Sequence, residues 1–210
     1  MTEGALDAQF SFLIEADKLK SVERANTLND VSRQENSAEH SWHLALYAMV
    51  LEGQAEPGVD ISRVIRMLIL HDLVEIDVGD VPLHSGNGQA HDAPAIRAAE
   101  AKAARRIFGL LPATQGAEFL ALWEEFEAAE SPDAVFAKSL DRTQPLAQNL
   151  ASDGVNWRKF DVSYQNIVDR VGAKVMRGLP DVWAYLQPKV RVLFGNREPH
   201  GDHSTIDENG

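Results

Sequence analysis

The chain of 210 residues contains no cysteine. This absence excludes disulfide bonds, zinc or iron–sulfur sites built on thiolates, and a cysteine nucleophile. It is compatible with a reducing compartment, and we predict a cytoplasmic protein. Long hydrophobic runs are absent as well: near the N-terminus the longest, 12–14, is closely followed by charged residues. We therefore expect neither a signal peptide nor a membrane-spanning helix.

Positive charge is also in short supply. Twenty Lys and Arg residues face 32 Asp and Glu residues, which gives a formal net charge of −12. General binding to nucleic acid or to an anionic membrane requires a basic face, so neither partner is expected. A small anionic substrate is compatible with this composition, because a few cationic groups or a metal ion set the field inside a site.

Helical spacing of apolar residues dominates the chain, and the alternation typical of strands is nearly absent. The sequence predicts an all-α fold, a bundle of about six to eight helices forming one domain over 1–195. The polar segment 196–210 is expected to be a disordered tail. We expect an opening helix that ends near Arg24, a loop over 25–34 and a long functional loop over 77–94.

Local start signals place several helices. Asn36 followed three residues later by Glu39 is typical of a capped helix start, and Asp60 opens a strongly apolar helix that we expect to end around Glu75. Further helices are expected at about 93–110, 113–130, 131–152, 161–178 and 180–195.

The segment IRMLILHDLVEIDVGD, residues 65–80, carries the most chemical information. An apolar helix delivers His71 and Asp72 side by side, and burying an imidazole and a carboxylate is costly unless something pairs with them. Metal coordination offsets that cost. Glu75 lies four residues after His71 and three after Asp72, which places it on the same helical face.

Two further ligands are expected from other buried helices. His40 lies near the start of the helix that begins at Asn36, and Asp141 lies in an apolar-flanked run where an acid is otherwise unexplained. The resulting mixed nitrogen and oxygen set suits Mn, Fe, Co, Ni or Zn more than calcium. We expect one divalent metal ion, with Mg as a further candidate.

The order H…HD…D resembles the HD superfamily of metal-dependent phosphohydrolases, and most closely its 5′-deoxynucleotidase branch. Four stretches carry the resemblance: LKSVER (19–24), RQENSAEHSWHLAL (33–46), HDLVEIDVGDVP (71–82) and LWEEFEAAESPDAVFAKSLDR (122–142). A lone HD dipeptide carries no weight, whereas the ordered set is specific. The resemblance implies an HD-type helical domain, often a homodimer, that hydrolyses 5′-(deoxy)nucleoside monophosphates.

The same resemblance implies roles for individual residues. The metal ligands are His40, His71, Asp72 and Asp141. Glu75 and Asp80 are expected to act on the reacting water or the leaving group. Arg24, at the end of the first helix, is expected to contact the substrate phosphate, with Arg33 as the alternative.

Other interpretations stay open at the level of sequence. The chain could be another HD hydrolase, acting on nucleotide polyphosphates or cyclic nucleotides, or a non-catalytic, metal-stabilised binding module. Asp141 could be a salt-bridge partner of Arg142 or Lys138. A second metal built from His43, His84 and His91 would change the chemistry.

Overall fold

The structure is a computed structural model that describes residues 3–80 and 94–195. Most of the predicted loop, with His84 and His91, and the predicted tail at 196–210 lie outside the described residues. Within them, the all-α prediction is confirmed. No described helix combines the length and apolar character that crossing a membrane requires.

Seven of the described helices have ten residues or more, within the expected range. They are α1 (Glu3–Ala16), α2 (Ser37–Val50), α3 (Ile61–Leu70), α5 (Pro94–Phe108), α6 (Ala113–Ala128), α7 (Pro132–Ala151) and α11 (Pro180–Gly195). The shorter helices are α4 (Glu75–Val78), α8 (Val155–Lys159), α9 (Tyr164–Asn166) and α10 (Ala173–Gly178), and a π-helical turn at Ile167–Gly172 joins α9 to α10.

Side-chain caps explain why the predicted helix starts are correct. The Asn36 side chain accepts a hydrogen bond from the Glu39 amide, and the Glu39 carboxylate accepts one from the Asn36 amide. Asp60 caps α3, and Ser131 caps α7 with Pro132 at the first helical position. These signals are local, so the sequence alone contains them.

Helices α3 and α7 contribute many of the core residues. Helix α3 buries Val64, Met67 and Leu68 completely, and it packs against α2, α6 and α7. Helix α10 also packs on α7. Burial of this kind stabilises by roughly 1.5–3 kcal/mol per large apolar side chain, so the segments flanking the buried polar site are held firmly.

The region between α1 and α2 differs from expectation. Helix α1 ends at Ala16 and a 3₁₀ turn follows at Asp17–Ser21. The two ends of the predicted loop belong to a two-stranded antiparallel hairpin of β1 (Glu23–Thr27) and β2 (Gln34–Asn36), and its middle connects the two strands. The prediction that Arg24 closes the first helix is therefore wrong: Arg24 lies in β1. These strands are short and polar, so their sequence lacks the alternation by which strands are recognised.

The end of α3 differs too. The α-helix stops at Leu70, five residues before the expected end, and a 3₁₀ turn over His71–Val74 leads into α4. A 3₁₀ turn is tighter than an α-helical turn. His71 and Asp72 therefore leave the helix on a changed path, and their reactive atoms come close together.

Candidate metal centre and active site

Four predicted ligands converge from three parts of the fold. His40 comes from the first turn of α2, His71 and Asp72 from the 3₁₀ turn, and Asp141 from the middle of α7. All four are less than 10% exposed. His71, Asp72 and Asp141 line a cavity of about 580 Å³, and His40 lies fully buried behind them.

The His71 ring has a defined orientation. Its Nδ1 donates to the Leu68 carbonyl at 2.8 Å, which fixes the proton on Nδ1 because a carbonyl only accepts. Its Nε2 is buried, makes no hydrogen bond, and lies 2.9 Å from Asp72 Oδ1 and 3.8 Å from Asp141 Oδ1. In the neutral ring, a nitrogen lone pair therefore faces two carboxylates.

The His40 ring meets the same conflict. Its Nδ1 lies 3.0 Å from Gln144 Oε1 and its Nε2 lies 3.1 Å from Asp141 Oδ1, and both oxygens are acceptors. The orientation of the Gln144 amide is set because its Nε2 donates to Glu35 at 2.9 Å. Burial lowers the pKa of His40 to about 4, so the ring is neutral and has one proton for two acceptors.

A divalent cation resolves both conflicts. It would accept the Nε2 lone pairs of both rings and attract the carboxylates, while each Nδ1–H keeps its own acceptor. Ligating histidines are commonly held by such a hydrogen bond from the other ring nitrogen. Ligand atoms of His40, His71 and Asp72 all lie within 4.8 Å of one another. The donor set thus fits a divalent metal.

The electrostatics of the protein groups point the same way. Burial alone would lower the pKa of His71, but Asp72 and Asp141 outweigh it and raise the pKa to about 10. Burial would likewise raise the pKa of Asp72, yet the charge of His71 keeps it below its usual value. The centre therefore demands a positive charge between ring and carboxylates, whether a proton or a metal ion.

Glu75 and Asp80 stand beside the cluster and also line the cavity. The Ser37 hydroxyl donates to Glu75 Oε2, and the Ala25 amide donates to Asp80 Oδ2 at 3.1 Å. Burial, followed by the negative charge of Asp72, raises the pKa of Glu75 well above its usual value. A carboxyl group in this setting is suited to giving or taking a proton.

Arg24 reaches the same cavity from β1. Its Nη1 donates to Asp72 Oδ2 at 3.1 Å and lies within 4.0 Å of Glu75 and Asp80. Burial would lower the pKa of Arg24, but these charges together raise it, so the guanidinium stays cationic. The alternative, Arg33, is half-exposed, pairs with Glu39 and is not part of the cavity lining.

The structure also bears on the salt-bridge interpretation of Asp141 and on the second metal site. Lys138 pairs with Glu127 at 2.8 Å and not with Asp141. Arg142 Nε forms an ion pair with Asp141 Oδ2 at 3.7 Å, a distance too long for a hydrogen bond. His43 bonds the Gln144 side chain and stacks on Trp42, and it is not part of the cavity lining.

Sequence reasoning missed the residues behind the ligands. Glu35 is buried, and its Oε1 accepts from both Gln144 and Gln148. Burial, partly offset by Arg24, raises the pKa of Glu35 to about 7. Gln144 and Gln148 follow Asp141 by three and by seven residues. This helical spacing of polar residues on α7 is the sequence signal that could have identified them.

The cavity continues along α7 away from the cluster. Apolar and aromatic side chains line that part, together with one amide: Pro145, Leu146, Asn149, Trp157, Phe160, Ile167 and Val171. Basic side chains also line the cavity, and four of them come from α7 and α10: Lys138, Arg142, Lys174 and Arg177. The cavity thus has an apolar region and a cationic region, with the His and Asp cluster in its wall.

Known proteins resemble this chain over most of its length. Human 5′-deoxynucleotidase HDDC2 is 31% identical over 140 residues, which cover 65% of this chain. The fission yeast 5′-deoxynucleotidase hdd1 of Schizosaccharomyces pombe is 25% identical over 145 residues, covering 69% of this chain and 70% of that protein. The chain spans 64% of the length of the human relative and 66% of that of the mouse.

A solved structure extends the likeness to nearly the whole fold. The crystal structure of a "predicted metal-dependent phosphohydrolase" from Magnetospirillum magnetotacticum MS-1 superposes with a TM-score of 0.84 at 44% identity. The match covers 91% of this chain and 96% of that one. A family model described as HD domain matches residues 16–183, a span that contains all four predicted ligands. The chain therefore belongs to the HD domain family.

Proposed function

We propose that this chain is a metal-dependent phosphohydrolase that removes phosphate from 5′-(deoxy)nucleoside monophosphates. The observation that carries the proposal is the pair of imidazole Nε2 atoms facing the Asp72 and Asp141 carboxylates, beside a cavity that Arg24 also lines. The 5′-deoxynucleotidase relatives and the phosphohydrolase structure support the class of reaction.

His40, His71, Asp72 and Asp141 would hold one divalent metal. When bound there, such a metal polarises a phosphate oxygen and lowers the pKa of a coordinated water. Mn, Co, Fe, Ni, Zn and Mg are the candidates, because the ligands mix nitrogen and oxygen.

The remaining groups divide the work on the substrate. Arg24, permanently cationic, neutralises phosphate charge. Glu75, with Asp80 beside it, orients or deprotonates the water or protonates the leaving 5′-oxygen. The apolar region near Trp157 and Phe160 is suited to a nucleoside, since bases bind apolar and aromatic surfaces. No side-chain nucleophile is required.

The test is phosphate release from a panel of nucleotides after loading the protein with each candidate metal. We expect 5′-deoxynucleoside monophosphates to react and metal-stripped protein to be inactive. Preferential hydrolysis of nucleotide polyphosphates or cyclic nucleotides would indicate that the chain has another HD hydrolase activity. No turnover by any metal form, with metal bound, would indicate a binding module.

A homodimer in the cytoplasm is part of the proposal. Four exposed apolar residues share one face of α2 by their spacing: Trp42, Leu46, Met49 and Val50. Such stripes often mark protein contacts. Light scattering after size exclusion checks this: we expect a dimer, and Leu46→Glu with Met49→Glu should yield monomers. A wild-type monomer would contradict the proposal.

A further inference from the structure

Arg142 is the residue on which the inference rests. It follows Asp141 on α7 and lines the cavity that His71, Asp72 and Asp141 line. Its side chain is 16% exposed, and its Nε is buried without a hydrogen-bond partner among the described residues. An arginine carries five N–H donors in a planar fork, and a buried donor left unsatisfied destabilises the protein.

Arg24 has very different surroundings. Four carboxylates lie within 4.0 Å of its guanidinium: Glu35, Asp72, Glu75 and Asp80. Among the described residues, Arg142 has one carboxylate within 4.0 Å, that of Asp141 at 3.7 Å. The Nε of Arg24 also lacks a hydrogen bond, but it lies 3.6 Å from Glu35. Asp141 also turns its other oxygen, Oδ1, toward the two imidazoles. Arg142 therefore keeps most of its donor capacity for a ligand.

The charges beside the centre favour a further cation near a bound phosphate. Four carboxyl groups of the cavity wall stand at the centre, those of Asp72, Glu75, Asp80 and Asp141, and Glu100 and Glu127 line the same cavity. Arg24 and a divalent metal together carry three positive charges, fewer than the four acids at the centre carry when all are ionised. A phosphate group brings up to two more negative charges, and at low effective dielectric this repulsion is large. A second arginine offsets it.

The neighbourhood of Arg142 is cationic in a chain that is acidic overall. Lys174 and Arg177 of α10 line the same cavity, and α10 packs on α7, where the Ser139 hydroxyl donates to the Lys174 carbonyl. Clustering cations in a concave site raises the local anion concentration whatever the net charge of the chain.

We propose that Arg142 is a second phosphate-binding residue, which grips the substrate phosphate from the Asp141 side of the centre while Arg24 stands on the Asp72 side. The proposal rests on the proposed function, because it assumes a phosphate ester at the metal centre. A guanidinium fork matches two phosphate oxygens, so Arg142 would bind in a bidentate manner. This makes Arg142 a group that touches the substrate.

The test compares Arg142→Gln and Arg142→Lys with wild-type holoenzyme, using inorganic phosphate as the probe in calorimetry. Arg66→Gln is the matched control, because Arg66 is exposed, pairs with Glu118 and is not part of the cavity lining. We expect Arg142→Gln to weaken phosphate binding roughly 10- to 100-fold, the worth of a hydrogen-bonded charge. Arg142→Lys should recover part of the loss, and the control should bind normally.

Kinetics and metal content complete the test. For a 5′-deoxynucleoside monophosphate, KM and the inhibition constant for phosphate should rise together in Arg142→Gln, with metal content unchanged. Equal phosphate affinity in wild type and Arg142→Gln overturns the inference, as does wild-type protein that binds no phosphate. Metal loss that parallels the loss of affinity also overturns it, because Arg142 would then act only through Asp141.

The outcomes separate this inference from the proposed function. Normal nucleotide hydrolysis with unchanged KM in Arg142→Gln leaves the proposed function intact and removes the inference. Phosphate binding that depends on Arg142, in a protein that hydrolyses no nucleotide, keeps the inference and removes the proposed function.

Discussion

The two arginine-bearing walls of the cavity differ in how far their charges are already paired. On the acidic wall, formed by Arg24, Asp72, Glu75 and Asp80, each side chain makes a hydrogen bond or ion pair with the protein, and Arg24 has four carboxylates within 4.0 Å. On the cationic wall, formed by Arg142, Lys174 and Arg177 on α7 and α10, Arg142 has one such carboxylate among the described residues. The Nε of each arginine is buried without a hydrogen bond, so the walls differ in the number of acids around the arginine.

This difference indicates a division of labour. Groups fixed by mutual pairing are preorganised, which suits holding an ion and aiming a water molecule. An arginine with fewer acids around it keeps more of its donors for a ligand, which suits the binding of an anion. Substitutions on the acidic wall should therefore reduce metal content or the rate of the chemical step, whereas substitutions on the cationic wall should reduce substrate affinity.

The largest effect is expected for Asp72→Ala on the acidic wall. It removes one of four proposed ligands, so metal content measured by plasma mass spectrometry should fall sharply, and hydrolysis with it. The melting temperature should also drop, because an ion bound only by the folded state stabilises that state. Asp169→Ala, on an exposed position, is the control. Equal metal content in both variants would show that Asp72 is not a ligand.

Next comes Glu75→Gln, which keeps shape but cannot exchange a proton near neutral pH. We expect metal content near that of wild type and a kcat lower by roughly 10²–10⁴, the worth of a positioned acid or base. Asp77→Asn is the matched control, since Asp77 lies two residues further on and pairs with Arg106. Loss of metal in Glu75→Gln would show that Glu75 is a metal ligand. An unchanged kcat with metal bound would indicate that Asp80, and not Glu75, transfers the proton.

Arg24→Lys tests the remaining charge on the acidic wall. It keeps the cation but loses the fork, so substrate interaction should weaken by roughly 1–3 kcal/mol, read as a change in kcat/KM, with metal content unchanged. If the two arginines bind phosphate independently, the double variant Arg24→Lys with Arg142→Lys should lose the sum of the two single losses in phosphate-binding free energy. Unaltered kinetics in Arg24→Ala would reduce Arg24 to a structural partner of the acids.

The smallest effect is expected for substitution of Gln144, which lies behind the proposed ligand His40. Gln144→Leu removes the acceptor for His40 Nδ1 and one donor to Glu35. Metal affinity, measured by competition with a chelator, should fall about tenfold, as is usual for groups that orient a ligand. Gln165→Leu, which removes only an exposed bond to Asp169, is the control. Identical affinities would mean that His40 needs no such support.

Much of the site could be predicted because its signals are local. The side-by-side His71 and Asp72 close an apolar helix, and the caps at Asn36 and Asp60 mark helix starts by short-range hydrogen bonds. These features survive in the sequence without knowledge of the fold.

The rest depends on contacts between distant segments. The Gln144–Glu35 bond joins residues 109 positions apart, and neither residue is unusual in its local sequence. The β1–β2 hairpin is polar and short, so no periodicity marks it. Arg142 stood out only as a neighbour of Asp141, since its unpaired Nε is a property of the packed α7–α10 region.

A crystal structure of the metal-loaded protein with phosphate, with the metal located by anomalous scattering, would show directly whether the four residues hold an ion. We expect one strong peak within bonding distance of His40 Nε2, His71 Nε2, Asp72 and Asp141, and a phosphate that contacts both the metal and Arg142. A metal held elsewhere, or a phosphate bound away from this centre, would contradict this assignment.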